Sequence, residues 1–180
     1  MRSHSRSGGR NISLPARKLT ALALMGALMF ASQVAMSFIP NVHLVGLFII
    51  VTSLLFGWEA FYSVILFIFL EGITYGFGLW WFSYLYVWPL LALAVNLLRK
   101  NESVIIWAIV AAAHGLCFGA LCSIPYFFMG GSAMAFSYWV AGIPFDIVHC
   151  ISNFAVTLIL LKPLSKVIKR FALPLNGSER

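Results

Sequence analysis

The sequence predicts an all-α integral membrane protein, a bundle of six transmembrane helices with both termini in the cytoplasm. Three observations predict it. Of the 180 residues, 62% are hydrophobic and only 9% charged, whereas a soluble domain carries roughly 25% charged residues. Such a chain cannot cover its surface with polar groups, so lipid must cover part of it. The apolar residues also fall into six runs separated by short breaks, and the basic residues collect at the two ends and one internal spot. That second asymmetry is the mark of cytoplasmic segments.

The elements follow in order. From Leu19 to Trp58 there is no Asp, Glu, Lys or Arg, and Pro40-Asn41 divides the stretch into helices over about 18–38 and 43–57. Gly57-Trp58-Glu59 makes a turn, and a third run extends from Ala60 to about Phe77. "GLWWF" is a second break, after which a fourth span runs from about Ser83 to Leu98 and ends in Arg99-Lys100. A fifth covers about Ser103 to Ser123. "IPYFFMGGSAMAFSYW" reads as a long connection, and the sixth span runs from about Val140 to Leu161. Each run approaches the length that crosses a hydrocarbon core, and helices satisfy their own backbone groups there. Residues 1–16 read as a disordered basic tail, 17–170 as the transmembrane domain and 171–180 as a second tail.

Arg17 and Lys18 before "LTALALMGALMFASQVA" have the flavour of a secretion signal. The apolar stretch is too long for one, and the topology needs it as a span. The net charge of +7 sits at the two chain ends and one internal spot and is no nucleic-acid footprint. Cys117, Cys122 and Cys150 lie in apolar runs with no C-x-x-C pair and read as small buried hydrophobes.

Charge at the bilayer centre is costly, at least about 2.5 kcal/mol, so polar residues at depth stand out. Glu71 lies about twelve residues into the third helix, and at ~1.5 Å per residue this is past its middle. His114 has a similar depth on the fifth. Asp146, His149 and Asn153 recur at offsets of three and four, so they share one face of the sixth helix. Asn41 and His43 stand at the outer mouth. No Lys or Arg matches the acids in height.

Two readings stay open. Glu71 and Asp146 either pair with histidines inside the bundle, or line an outward-opening pocket that binds a small molecule. Such pockets are mostly aromatic with few polar anchors. Tyr75, Trp80, Trp81, Tyr84 and Trp88, with Tyr126 and Trp139, supply the walls, although some Trp must belong to the interfacial belt.

On the first helix Ala23, Ala27, Ala31 and Ala35 recur every four residues, a smooth stripe that admits another helix closely. Gly72 with Gly76, and Gly115 with Gly119, repeat the spacing and read as internal packing sites. No G-x-x-x-x-G-K-[ST], H-E-x-x-H or G-x-S-x-G stretch occurs, which argues against ATP hydrolysis in this chain and against hydrolase chemistry.

These residues resemble one family, the substrate-binding S components of energy-coupling factor (ECF) vitamin transporters. The resemblance runs from about Arg17 to Arg170. It is carried by the topology, by the A-x-x-x-A pattern of Ala23, Ala27 and Ala31, and by the run "FIPNVHLVGLFIIVTSLLFGWEAFYSVILFIFLEGITYGFG". It implies a multi-pass protein of a prokaryotic plasma membrane that is not itself an enzyme. The partners implied are a transmembrane coupling subunit, docked on Ala23, Ala27 and Ala31, and two cytoplasmic ATPases that use ATP and Mg. It also implies a vitamin-like ligand, held in the outer half by Asn41, His43, Glu71, Tyr75, Trp80, Trp81, Tyr84, His114, Asp146, His149 and Asn153. Nickel and cobalt members carry a His directly after the initiator Met. Arg2 stands there, so no metal site and no cofactor in this chain are expected. A flat nitrogen heterocycle fits aromatic walls with carboxylate anchors. The competing expectations are an intramembrane enzyme acting on a lipid through Asp146, His149 and His114, or a scaffold subunit of another membrane complex.

Overall fold

The computed structural model describes residues 16–39 and 42–172. Both terminal tails and Asn41 lie outside the described residues. The described chain is all helical. Five helical stretches are long and apolar enough to cross a membrane: Ala16–Ala35, Val45–Tyr75, Leu79–Leu98, Val104–Cys122 and Ile124–Arg170. The elements are α1 (Ala16–Ala35), α2 (Val45–Phe56), a 3-10 turn (Gly57–Glu59), α3 (Ala60–Tyr75), α4 (Leu79–Leu98), α5 (Val104–Cys122) and α6 (Ile124–Ala172).

The second apolar stretch contains a reversal of direction. The Ser63 hydroxyl donates to the Leu22 carbonyl (2.7 Å) and the Gln33 amide donates to Glu71 (3.1 Å). Lys18 pairs with Glu59 at 2.5 Å. Contacts that advance together along both helices require α1 and α3 to run parallel, so α2 returns between them. Gly57 makes the corner with φ +63° and ψ −134°, and an added Cβ would lie 2.8 Å from the Arg99 guanidinium. Side chains are excluded from such backbone. Gly57→Ala is therefore expected to lower stability by about 1–3 kcal/mol, read as a shift of the unfolding midpoint in detergent.

α2 is apolar all round, "VGLFIIVTSLLF", and a helix of that kind belongs in the interior. Ten of its 12 residues are buried, and Leu22, Met29, Phe67, Ile68, Leu91 and Val95 pack in the same core. At ~1.5 Å per residue it is about 18 Å long, well short of a ~30 Å hydrocarbon core. The space beyond its first residue is left to other groups.

The remaining helices alternate in direction. The Trp81 indole donates to the Ile68 carbonyl (2.9 Å), while Arg99 reaches Gly57, so α4 descends along α3. The Tyr86 hydroxyl donates to the Leu121 carbonyl (2.7 Å), joining α4 to α5. On α6, Asp146 meets Gly119 and Asn153 meets the Ala111 carbonyl, an antiparallel register. The two helices close tightly because a Cβ at Gly115 would lie 2.9 Å from the His149 backbone.

Three boundaries differ from the sequence expectation, one being the far end of α6, which runs on to Ala172 rather than ending at about Leu161. The aromatic run Leu79–Phe82 belongs to α4, the break being confined to Gly76–Gly78. The stretch read as a long connection before Val140 is helical except at Gly130 and Gly131, where Gly131 takes φ +74°. Tyr126 stacks on Tyr138 with centroids 4.0 Å apart. Residues 124–129 thus continue the direction of α5, and the two glycines make the whole turn. Met, Ala and Phe between breakers carry no reason to leave the helix; only the glycine pair does. Cys122 is buried as expected, but Cys117 is exposed on the outside of α5.

Candidate functional site

Because α2 stops short, a cavity of about 370 Å³ opens above its first turn, at the end of the bundle remote from Lys18 and Arg99. α3 contributes Glu71 and Tyr75, α4 contributes Trp80 and Tyr84, α5 Phe118 and α6 His149. Gln33 and the turn Met36–Ile39 close one side, and Val42 and His43 enter just before α2.

The aromatic shell is continuous. The Trp80 ring meets Tyr84 edge-on at 5.1 Å, and Tyr84 meets Trp88 at 5.5 Å. His43 packs against His149 at 4.6 Å and against Trp88 at 5.6 Å, and Phe118 meets His149 at 4.9 Å. Each contact is T-shaped, the arrangement ring quadrupoles favour.

The polar groups within this shell are under-used. Glu71 is 2% exposed and accepts from Gln33 at one oxygen, Oε2. Glu71 Oε1, Gln33 Oε1, His43 Nδ1 and both ring nitrogens of His149 are buried without a hydrogen-bond partner. Folded proteins leave few buried polar atoms unpaired, and each costs about 1–3 kcal/mol. Several around one cavity mark a surface made to meet something else.

The sequence-named residues divide. His43, Glu71, Tyr75, Trp80, Tyr84 and His149 line the cavity. Trp81 lies behind the wall, its indole spent on the Ile68 carbonyl and its ring packed on Phe77 at 4.9 Å. His114 places Nε2 3.0 Å from the Val87 carbonyl and packs between Trp88 and Phe118. Asn153 is held by the Ala111 carbonyl beneath the cavity, beside Gly46. Asp146 accepts from the Gly119 amide (2.9 Å) and lines a second cavity of about 360 Å³ between α5 and α6. Phe118 lines both cavities and stands between them. Asp146 thus lies across Phe118 from the first cavity, while His114 and His149 both pack on the Phe118 ring.

Gln33, Met36, Ser37, Ile39, Val42 and Phe118 also line the site and were not expected. Gln33 had a signal, being the one side-chain amide in α1. Its importance depends on the parallel packing of α1 on α3. Among the described residues, no group of three or more His, Cys, Asp or Glu side chains could hold a metal ion.

The other face of α1 is different in kind. Ala23, Ala27 and Ala31 are exposed, while Gly26 turns inward, where a Cβ would lie 2.7 Å from the Ser63 carbonyl. The glycine makes the internal contact and the alanines face out. An apolar groove of about 680 Å³ runs beside them, lined by Leu24, Met25, Leu28, Phe56, Leu164 and Ile168 among others. No protein-family model, no curated protein and no solved structure matches this chain.

Proposed function

We propose that this chain is the substrate-binding subunit of an ECF-type importer, which captures a vitamin-like small molecule and delivers it by docking on a membrane-embedded coupling subunit. The observation that carries the reading is the two-faced α1. One face sends Gln33 into a cavity edged with unpaired polar atoms, and the other presents Ala23, Ala27 and Ala31 outward. A subunit that must hold a ligand and also dock needs both faces on connected elements.

In this reading the chain crosses the membrane six times, α2 and α3 as separate crossings. Lys18, Arg99, Lys100, Lys162 and Lys166 lie at the cytoplasmic end, which follows from the positive-inside rule. The cavity then opens outward from a prokaryotic plasma membrane. The alanine stripe lets a helix of the coupling subunit approach closely in lipid. Energy comes from two partner ATPases using ATP and Mg, since no phosphate-binding loop motif occurs in this chain.

Co-expression with a coupling subunit and its two ATPases tests the proposal. A stable four-subunit complex is expected after detergent extraction. Recovery of the folded chain alone, with the other three subunits assembled without it, would count against docking.

A further inference from the structure

We propose that the cavity selects a cationic, planar nitrogen compound, whose N–H edge is read by Glu71 with Gln33, and rejects ligands bearing a carboxylate or phosphate. This rests on the reading of the cavity as a substrate site and adds the charge and the edge of the substrate.

Charge is the first argument. Among the described residues, Glu71 is the only acid lining the cavity, and no Lys or Arg lines it. The ion pair found among the described residues, Lys18 with Glu59, lies at the other end of the bundle. A buried carboxylate in lipid calls for a countercharge, and with none among the described lining residues a cationic ligand can bring it. An anionic ligand would meet Glu71 with no cation to offset the repulsion.

Edge geometry is the second. The Gln33 amide nitrogen donates to Glu71 Oε2, which turns Gln33 Oε1 away as an acceptor. Glu71 Oε1 has no partner either. Two unpaired acceptors on residues of one cavity lining suit a ligand that offers several N–H donors, such as an amidinium or a protonated amino-heterocycle. Charge-assisted bonds of this type are the strong ones. The Trp80 and Tyr84 rings lie within the same wall, and aromatic faces attract a delocalised cation. On the far side His43 Nδ1 and the two nitrogens of His149 remain to bind a second polar group of the ligand.

The test uses the full chain in nanodiscs and three simple probes: benzamidine, benzoate and phenyl phosphate. Benzamidine is expected to give a saturable change in tryptophan fluorescence, and the two anions none. Glu71→Gln is expected to weaken benzamidine at least about tenfold, whereas Glu59→Gln leaves it unchanged. Gln33→Met, which removes one acceptor and little volume, is expected to weaken it by a smaller factor. It keeps the test open if Glu71→Gln fails to fold. Binding of benzoate or phenyl phosphate as tightly as benzamidine overturns the proposal, as does a benzamidine response absent or indifferent to both cavity variants. The importer reading fails separately. A chain that binds benzamidine through Glu71 but never associates with the coupling subunit retains this inference and loses that one. A chain that associates yet prefers benzoate does the opposite.

Discussion

Ala27→Leu is expected to reduce uptake at least about tenfold while ligand binding and the unfolding midpoint stay unchanged. Ala27 lies on the exposed side of α1, one residue from the inward-facing Gly26. Helix association in lipid depends on close backbone approach across small side chains, and an isobutyl group at the centre of the stripe holds a partner helix off. The fold does not feel the change, because surface substitutions away from special features usually stay within about ±0.5 kcal/mol. Uptake into cells, measured beside tryptophan-detected binding on the purified variant, separates the two effects. Normal uptake would remove this face of α1 from coupling.

Gly115→Ala is expected to cost about 1–3 kcal/mol of stability. The added Cβ would lie 2.9 Å from the carbonyl carbon and oxygen of His149, and 3.0 Å from the Cys150 nitrogen. All three are backbone atoms, so no side chain can swing aside and α5 must part from α6. His149 moves with its backbone, so ligand binding should weaken along with stability. Gly142→Ala is the control: nothing lies within 4 Å of its Cβ, and exchanging glycine for alanine in a helix favours stability by up to about 1 kcal/mol. Detergent unfolding of the two variants side by side reads the contrast. Equal midpoints would mean that the α5–α6 contact is looser than the distances imply.

Some of this was legible in the residues alone. Length and polarity place the first five helices to within a few positions, because a segment in lipid must be both apolar and helical. The acid in the third helix stands out for the same reason: in water Glu71 would be unremarked, whereas among "FYSVILFIFL" it needs a partner. The alanine spacing is also visible, although its outward direction is not. Gly26 lies in the same helix, and nothing in the spacing says which small residues face protein and which face lipid.

Local pattern and tertiary contact diverge at two places. Asp146, His149 and Asn153 share a helical stripe, yet that stripe is long and crosses several environments. His149 reaches the cavity, Asp146 ties down Gly119 on the other side of Phe118, and Asn153 holds a carbonyl below. Trp81 and Trp80 are adjacent, but a helix turns neighbours about 100° apart, and only Trp80 faces the cavity.

By itself the sequence determined that this chain is helical and membrane-embedded, where its basic end lies, and that it carries an acid where lipid tolerates none unaided. Hydrophobicity and helix period are local properties, readable along one strand of text. The tertiary structure alone decided that a short, largely buried α2 leaves a cavity above it, and that Gln33 from a parallel neighbour shares Glu71. It also decided that one face of α1 serves that cavity while the alanines face away. A cavity is space that several helices fail to fill, so its lining depends on how they are set side by side, which no single helix encodes.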